Sequence, residues 1–183
     1  MENPDPKSIT CAFTGHRPEK LPWGENETDP ECAALKNRIY HVCRELYERG
    51  YRHFVCGMAR GADFYFCEAV LRLKESCEGV VLIAAVPFRG QASSWGEADR
   101  ARYEDLLSRC DRVAMLEDEY SDGCYIRRNR RMVDVSSALM AVLAGGGGTK
   151  STVDYAMRRG LELIIFYPRS DVYVDIPPRF DLE

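Results

Sequence analysis

The sequence lacks several signals that would assign a protein quickly to a functional class. No apolar run approaches the roughly 20 residues that a membrane-spanning helix needs. Residues 1–6 have neither the positive region nor the apolar stretch of a secretory signal, so we expect a cytoplasmic protein with no membrane partner. Neither a G-x-G-x-x-G motif nor a G-x-x-x-x-G-K-[ST] motif is present. A standard dinucleotide fingerprint and a P-loop kinase or ATPase are therefore disfavoured.

Cysteine is not scarce, but cysteine pairs at metal-binding spacing are absent. The eight cysteines contain no C-x-x-C pair, which removes the local pattern of a typical zinc site. Cys11 and Cys56 fall within predicted strands, while Cys43 and Cys110 fall on the apolar faces of predicted helices. A free thiol behaves there as a small apolar side chain. We therefore expect reduced core thiols and no metal site.

The composition is that of an ordinary globular chain with a mild acidic excess. Of 183 residues, 45% are hydrophobic and 30% are charged, which suits one α/β domain with a full core. The formal net charge of −4 disfavours a general coat for nucleic acid. The positive charge is mostly arginine, whose planar fork suits phosphate, although surface ion pairs would explain the same bias.

Apolar runs alternate with amphipathic segments along the whole chain. The runs predict strands at residues 9–14, 53–56, 80–86, 112–116, 138–143 and 161–167. A helix is predicted from Asp29-Pro30 to Gly50. Its apolar stripe consists of Cys32, Leu35, Ile39, Val42, Cys43 and Leu46. Strands alternating with helices predict an α/β fold with a mostly parallel sheet of about six strands between two helical layers.

Nothing in the sequence divides the chain into separate units. We predict a single domain over residues 1–183, with a core at about 9–167 and a C-terminal tail at 168–183 that wraps the surface. Residues 19–30 have no clear period and are interpreted as a long loop near the site, a candidate lid.

Four consecutive glycines, Gly145 to Gly148, follow the fifth predicted strand and precede a helical pattern. Glycine loses more backbone freedom on folding than any other residue, so four in a row suggest that something approaches the main chain closely. A helix start also offers free N–H groups and the positive end of the dipole. We interpret the segment as a phosphate-binding loop, with hydroxyl groups of Thr149, Ser151 and Thr152 nearby. A flexible linker is the alternative.

Two further motifs follow predicted strands, at residues 14–17 and 57–63. The carboxyl ends of parallel strands lie at one edge of a sheet, so both motifs should meet the glycine loop there. Arg17 and Arg60 are predicted phosphate contacts. Asp63 is either a ribose contact or a helix-start residue that balances the dipole. His16 is either functional or structural.

A basic cluster precedes the fifth strand. Arg127, Arg128, Arg130 and Arg131 form either a solvated helix face or a source of phosphate contacts. Asn129, between them, is interpreted as an inward-pointing residue that orients a ligand or a loop. The residues predicted to bind ligand or phosphate share the expected sheet edge. They are Thr14, Gly15, His16, Arg17, Gly57, Arg60, Gly61, Asp63, Asn129, Gly145, Gly146, Gly147, Gly148 and Thr149.

Taken together, these segments resemble the YpsA-like branch of the SLOG superfamily, which includes LOG phosphoribohydrolases and the DNA-processing protein DprA. The resemblance extends from Ile9 to about Tyr167. It implies a Rossmann-like three-layer α/β/α sandwich and a pocket for a nucleotide or nucleotide-derived ligand. It also implies a possible homodimer.

One departure from the LOG pattern bears on catalysis. LOG enzymes carry P-G-G-x-G-T-x-x-E, and this chain has Ala144 in place of the proline and Thr152 in place of the glutamate. Threonine cannot act as a carboxylate base. Asp63 and Glu68 are the remaining candidate catalytic carboxylates.

Three functions follow from these patterns. We predict binding or sensing of a nucleotide-type small molecule, such as ADP-ribose, NAD or a nucleoside monophosphate; the sequence assigns no further cofactor. A nucleotide N-glycoside or phosphoester hydrolase using Asp63 or Glu68 is the alternative. Single-stranded DNA binding through residues 127–131, by analogy with DprA, is disfavoured by the acidic net charge.

Overall fold

A seven-stranded sheet forms the middle layer of the molecule, and the computed structural model describes the chain over residues 5–178. The strands are β1 (Thr10–Gly15), β2 (His53–Cys56), β3 (Val81–Phe88), β4 (Arg112–Glu117), β5 (Ala138–Val142), β6 (Glu162–Phe166) and β7 (Tyr173–Ile176). Their spatial order is β4-β3-β2-β1-β5-β6-β7. Every neighbouring pair is parallel except β6 with β7. The predicted α/β class with a mostly parallel sheet is confirmed.

Five α-helices cover the two faces of this sheet within residues 5–178. They are α1 (Pro30–Glu48), α2 (Ala62–Lys74), α3 (Glu97–Ser108), α4 (Cys124–Asp134) and α5 (Gly148–Arg158). One buried cluster joins the sheet to α1, α2 and α3, and a second joins it to α4 and α5. Successive side chains of β1 point to opposite faces of the sheet, so Phe13 belongs to the first cluster and Ala12 to the second. The result is the predicted Rossmann-like three-layer sandwich.

Helix α1 shows how closely the sequence pattern determines the local structure. The Asp29 carboxylate accepts a hydrogen bond from the Glu31 backbone N–H at 2.7 Å, and Pro30 occupies the first turn. The apolar residues of the predicted stripe are all buried. They are Cys32, Leu35, Ile39, Val42, Cys43 and Leu46.

The C-terminal tail differs from the prediction. Residues 173–176 do not simply wrap the surface but add β7 to the sheet, antiparallel to β6, with Phe166 opposite Tyr173. Strand β7 lacks the strongly apolar run of a buried strand because it lies at the sheet edge with a half-exposed pattern. The sheet therefore has seven strands where about six were predicted. Residues 179–183 of the predicted tail lie outside the described residues.

The segment after β1 is partly buried. Residues 18–20 form a short 3₁₀ helix, and Leu21 and Trp23 pack into the core cluster of α1 and α2. The Trp23 indole N–H donates to the Tyr65 hydroxyl at 3.4 Å. Residues 17–29, which we call the covering segment, are thus anchored by side chains that point inward.

All eight cysteines are free thiols, as predicted, and six of them are buried. Burial raises the pKa of Cys43 and Cys56 well above the ordinary value for a thiol. These side chains therefore serve as apolar core residues.

Strand β1 lies where the direction of chain winding reverses. From β1 the chain continues through α1 to β2 on one side, and β5 pairs with β1 on the other. Crevices at such a reversal, outside the carboxyl ends of the strands, are where open α/β sheets bind ligands. The fold therefore directs attention to the ends of β1, β2 and β5.

Candidate functional site

A cavity of about 350 Å³, which we call the first cavity, opens at the carboxyl end of β1. Several of the residues predicted for the site line it. They are Thr14, Gly15, His16, Arg17, Asp63, Asn129, Gly148 and Thr149. Three separate strand-to-helix connections and helix α4 thus contribute to one hollow. Its volume lies at the small end of the range usual for ligand pockets.

Two glycines allow the exit of β1 and the start of α2 to touch. A Cβ atom at Gly15 would lie 2.4 Å from the Cβ of Ala62. Gly61 has a φ of +81°, and a Cβ there would lie 2.9 Å from the His16 carbonyl oxygen. That carbonyl accepts a hydrogen bond from the Ala62 N–H at 3.2 Å. Both glycines are therefore required by contact between two segments of the chain itself.

Asp63 is a buried acid in the wall of the first cavity. Its carboxylate accepts a hydrogen bond from the Ala59 N–H at 3.0 Å, and only 4% of the residue is exposed. Burial raises the pKa of Asp63 from 3.8 to about 6, although the nearby positive charge of Arg128 opposes the shift. Asp63 can therefore exchange a proton close to neutral pH.

Arg128 is the one buried member of the arginine cluster on α4. Its guanidinium donates to the carbonyl oxygens of Gly57 and Ala85, the latter at 3.2 Å. A Cβ at Gly57 would lie 1.9 Å from Nη1 of Arg128, so only glycine leaves room for it. Burial lowers the pKa of Arg128, and Asp63 partly offsets this. The arginine therefore connects α4 to the end of β2 and to the middle of β3 while also lining the first cavity.

A hydrogen-bond chain leads from Arg128 to the glycine turn, Gly145–Gly148. Nε of Arg128 donates to Oδ1 of Asn129 at 2.8 Å. Nδ2 of Asn129 donates to the Thr152 hydroxyl at 2.8 Å, and that hydroxyl donates to the Gly148 carbonyl at 2.8 Å. Asn129 is half-buried and lines the first cavity, while Thr152 holds the first turn of α5 rather than facing that cavity.

His16 contacts the glycine turn directly. Its Nε2 lies 3.3 Å from the Gly145 carbonyl oxygen, which can only accept, so Nε2 carries the hydrogen in this contact. Burial lowers the pKa of His16, and the neighbouring Lys20 lowers it further. The hydrogen bond to Gly145 opposes this lowering of the pKa, and in this contact the imidazole acts as a hydrogen-bond donor.

The glycine turn contains two kinds of glycine. Gly145 and Gly147 have φ angles of +145° and +107°, which side chains disfavour. Gly146 and Gly148 lie outside that region, and a Cβ at either would meet no atom of the described chain within 4 Å, apart from its chain neighbours and the backbone of its own helix. Gly146 and Gly148 are therefore required neither by backbone conformation nor by packing.

Arg60 and Glu68 lie away from the first cavity, and Gly57, Gly61, Gly145, Gly146 and Gly147 do not line it either. Arg60 forms ion pairs with Glu19 of the covering segment and, at 3.0 Å, with Asp99. Glu68 pairs with Arg102 at 2.7 Å on the outer side of α2. The structure does not bring the Arg60 or Glu68 side chain to the hollow. Gly57 and Gly61 support its walls without lining it.

Other lining residues were not predicted from the sequence. Lys20 donates from Nζ to the Gly146 carbonyl at 3.0 Å and so joins the covering segment to the glycine turn. Tyr125 places its ring 5.5 Å from the Arg17 guanidinium and 6.0 Å from that of Arg128. Tyr125 begins the arginine-rich segment, so its position at the start of α4 was an available signal. Lys20 offered none, because the covering segment has no period.

Neither a membrane span nor a metal cluster is found in the part of the chain that the structure describes. No helix within residues 5–178 combines the length and the apolar character that crossing a membrane requires. Over the same residues, no group of three or more His, Cys, Asp or Glu side chains could hold a metal ion.

Comparison with known protein families shows to which family the chain belongs. The model of the YpsA family, described as the YspA SLOG family, matches residues 11–163. The chain belongs to the YpsA family of SLOG proteins. The matched range includes the whole first cavity, from the end of β1 to the start of α5.

Relatives of this YpsA-family chain include proteins without an assigned activity. It is 29% identical over 165 residues to an uncharacterized SPbeta prophage-derived protein, YoqJ, of Bacillus subtilis; the match covers 81% of this chain and 96% of the relative. It is 26% identical over 153 residues to a UPF0398 protein of Bacillus cereus, covering 81% and 83% respectively.

Solved structures confirm the fold of this SLOG protein. DNA processing protein A (DprA) of Streptococcus pneumoniae superimposes with a TM-score of 0.55 at 15% identity, over 87% of this chain and 50% of that one. DNA processing protein A of Helicobacter pylori, studied for its single-stranded DNA binding mode, gives 0.57 at 17% identity, over 87% and 65%. The YpsA-family chain thus spans only half to two thirds of these proteins.

Proposed function

We propose that this SLOG protein binds a phosphate-bearing nucleotide or nucleotide-derived ligand at the glycine turn. One observation carries the proposal: Gly146 and Gly148 have no reason within the described chain to be glycine. Each glycine adds conformational entropy to the unfolded chain and so lowers stability. A ligand that lies against the main chain, where a side chain would obstruct it, supplies the missing reason.

Cations outnumber acids around the first cavity, with Arg17, Lys20 and Arg128 against Glu19 and Asp63. Arg17 and Lys20 are exposed and long enough to adjust, while Arg128 is fixed by its carbonyl partners. The start of α5 adds the positive end of the helix dipole, and no side chain within the described residues caps it. A phosphate group would therefore meet cations on one side and backbone N–H groups on the other.

Asp63 supports the ribose part of the same proposal. Its carboxylate faces the first cavity at the start of α2, across from the start of α5. Carboxylates at this place in dinucleotide sites accept hydrogen bonds from ribose hydroxyl groups. ADP-ribose, NAD and nucleoside monophosphates all combine a phosphate with a ribose and are the candidate ligands.

Calorimetric titration with ADP-ribose, NAD, ADP, AMP and ribose 5-phosphate tests the proposal. At least one should bind, and Thr149→Val should weaken it several-fold, because Thr149 lines the first cavity and the two side chains match in size. Thr28→Val, on the covering segment away from the cavity, is the control and should bind as the wild type. Failure of every compound to bind at millimolar concentration would overturn the proposal.

Hydrolysis of a nucleotide is the second candidate function, and the position of Asp63 favours it. Of the two candidate carboxylates, Asp63 alone lines the first cavity, with a pKa raised by burial to about 6. If the chain is a hydrolase, Asp63→Asn should abolish release of free base or sugar phosphate from AMP. Glu68→Gln, remote from the hollow, should keep it. A nucleotide that stays intact after long incubation excludes this function.

Single-stranded DNA binding is a third candidate function, suggested by the solved structure of the Helicobacter protein. The supporting feature here is the outer face of α4 and α5, where Arg130 and Arg158 lie over the ring of Tyr155. Arginine and aromatic side chains together suit single strands. A band shift with oligothymidine that weakens steeply with salt would support it, and Arg130→Gln should reduce that shift.

Homodimer formation stays a prediction. The edge strand β4 offers one surface for it, because Val113 and Met115 are 47% and 39% exposed. The molar mass in solution, measured by light scattering, tests it.

A further inference from the structure

A larger hollow, which we call the second cavity, lies on the other side of the glycine turn from the first. Its volume is about 840 Å³. Leu143, at the end of β5, and Tyr167 and Pro168, at the end of β6, form much of its wall. Pro22 of the covering segment faces them. The second cavity thus belongs to the same sheet edge as the first but has its own walls.

The glycine turn separates the two cavities. Gly146 borders the second cavity and Gly148 borders the first. At both positions the φ angle and the surroundings within the described chain would accept a side chain, so neither explains why the residue is glycine. A ligand confined to the first cavity would account for Gly148 alone. A ligand that crosses the turn accounts for both.

The chemistry of the two cavities differs. The first carries Arg17, Arg128 and Asp63, which suit phosphate and ribose. The second also carries cations, Lys150 and Arg169, but adds the flat apolar surface of Tyr167, which is 42% exposed, next to Pro168. Aromatic rings that are open to solvent at a site provide stacking surfaces for nucleobases.

Lys20 marks the junction of the two cavities. It lines both, and its ammonium group is held by the Gly146 carbonyl at 3.0 Å. A Cβ at Gly147 would lie 2.8 Å from the same Nζ atom. A cation directly above the middle of the glycine turn is placed to neutralise phosphate groups that pass from one side to the other.

We propose that the second cavity binds the base of a two-part nucleotide, whose pyrophosphate crosses the glycine turn beside Lys20. The ribose at the far end of the ligand then occupies the first cavity beside Asp63. This inference rests on the proposed nucleotide binding and narrows it to the chemical class of ADP-ribose and related dinucleotides. Nucleoside monophosphates, which can fill only one side, bind more weakly.

Calorimetry with matched variants tests this assignment. Wild-type protein should bind ADP-ribose at least about tenfold more tightly than AMP or ribose 5-phosphate. Tyr167→Ala should weaken ADP-ribose by about tenfold, as expected for loss of one base–ring stack, and leave ribose 5-phosphate within about twofold. Tyr120→Ala removes a similarly exposed ring that borders neither cavity and should change nothing.

The results separate this inference from the proposal on which it rests. If AMP binds as tightly as ADP-ribose and Tyr167→Ala alters neither, the second cavity does not hold a base, while nucleotide binding stands. If no compound binds, both fall. Circular dichroism of Tyr167→Ala, expected to match the wild type, excludes unfolding as the cause of any loss.

Discussion

The guanidinium group of Arg128 occupies the space that a side chain at Gly57 would need, and it donates a hydrogen bond to the Gly57 carbonyl. Helix α4 is thereby attached to the end of β2 by a buried charged group. The same guanidinium reaches the carbonyl of Ala85 on β3. Arg128 therefore both lines the first cavity and holds α4 against the sheet. Its contribution to the stability of the protein can be measured without knowing the ligand.

Replacement of Gly57 by alanine should destabilise the protein. The added Cβ would lie 1.9 Å from Nη1 of Arg128, so the buried arginine must shift away from its carbonyl partners. We expect the free energy of unfolding to fall by about 1–3 kcal/mol, as for other overpacked sites. Urea denaturation measures it. A Gly57→Ala protein as stable as the wild type would show that Arg128 can move away from Gly57 without loss of stability.

Alanine at Gly146 or Gly148 should leave stability intact and weaken nucleotide binding. Both positions have room for a Cβ within the described chain, so stability should be unchanged or rise by about 0.4–1 kcal/mol. Affinity for the nucleotide should fall, because the methyl group lies where the ligand approaches the backbone. Gly57→Ala is the contrasting variant in the same denaturation experiment. Full ligand affinity in both variants would contradict the role given to the glycine turn.

The pKa of Asp63 predicts a specific pH dependence. Burial raises it from 3.8 to about 6, so the folded protein holds a proton that the unfolded chain has already lost between about pH 4 and pH 6. The contribution of Asp63 to stability therefore decreases as the pH rises through this window, by about 3 kcal/mol, because one pKa unit corresponds to about 1.4 kcal/mol. The Asp63→Asn variant lacks this contribution. Denaturation curves of the two proteins that remain parallel from pH 4 to pH 7 would refute the assignment.

Arg60 is predicted to fasten the covering segment rather than to bind phosphate. It pairs with Glu19 and Glu25 of that segment and with Asp99 of α3. Arg60→Gln should accelerate hydrogen exchange in residues 19–26 by about 3–10-fold and cost less than about 1 kcal/mol of global stability. Arg44→Gln, which removes an exposed ion pair with Glu48, is the control. Unchanged exchange in residues 19–26 would count against the fastening role.

Thr152 connects α5 to α4 through its hydroxyl group, so Thr152→Val should weaken that connection. Nδ2 of Asn129 would lose its acceptor, which is expected to cost about 1–2 kcal/mol in urea denaturation. Ser151→Ala, one residue earlier on the exposed side of α5, should have little effect. Equal stability of the two variants would contradict the role of Asn129 in orienting the turn.

The fold was predictable because each helix and each buried strand has its own pattern of apolar residues in a short stretch of sequence. The stripe from Cys32 to Leu46 shows the helical period, and the runs at 53–56 and 138–142 show buried strands. Strand β7 was missed because an edge strand needs no continuous apolar run. Its pairing with β6 is a tertiary contact that a scan of short windows does not detect.

The candidate site was predictable as a location but less so in its contacts. The sheet edge followed from parallel topology, and it brought His16, Asp63 and Thr149 together. Which arginine of α4 turns inward depends on the space at Gly57, 71 residues away along the chain. The ion pairs of Arg60 could not be predicted from the sequence either, because its partners lie on the covering segment and on α3.

The antiparallel hairpin of β6 and β7 has a practical consequence. Residues 167–170, which bound the second cavity, form the connection of this hairpin, and their position depends on the pairing of Phe166 with Tyr173. Proteolytic trimming that removes β7 would release this wall, even though every residue of the first cavity remained. A bulky affinity tag fused near β7 could disturb nucleotide affinity in the same way, so titrations are best made on protein tagged at the other terminus.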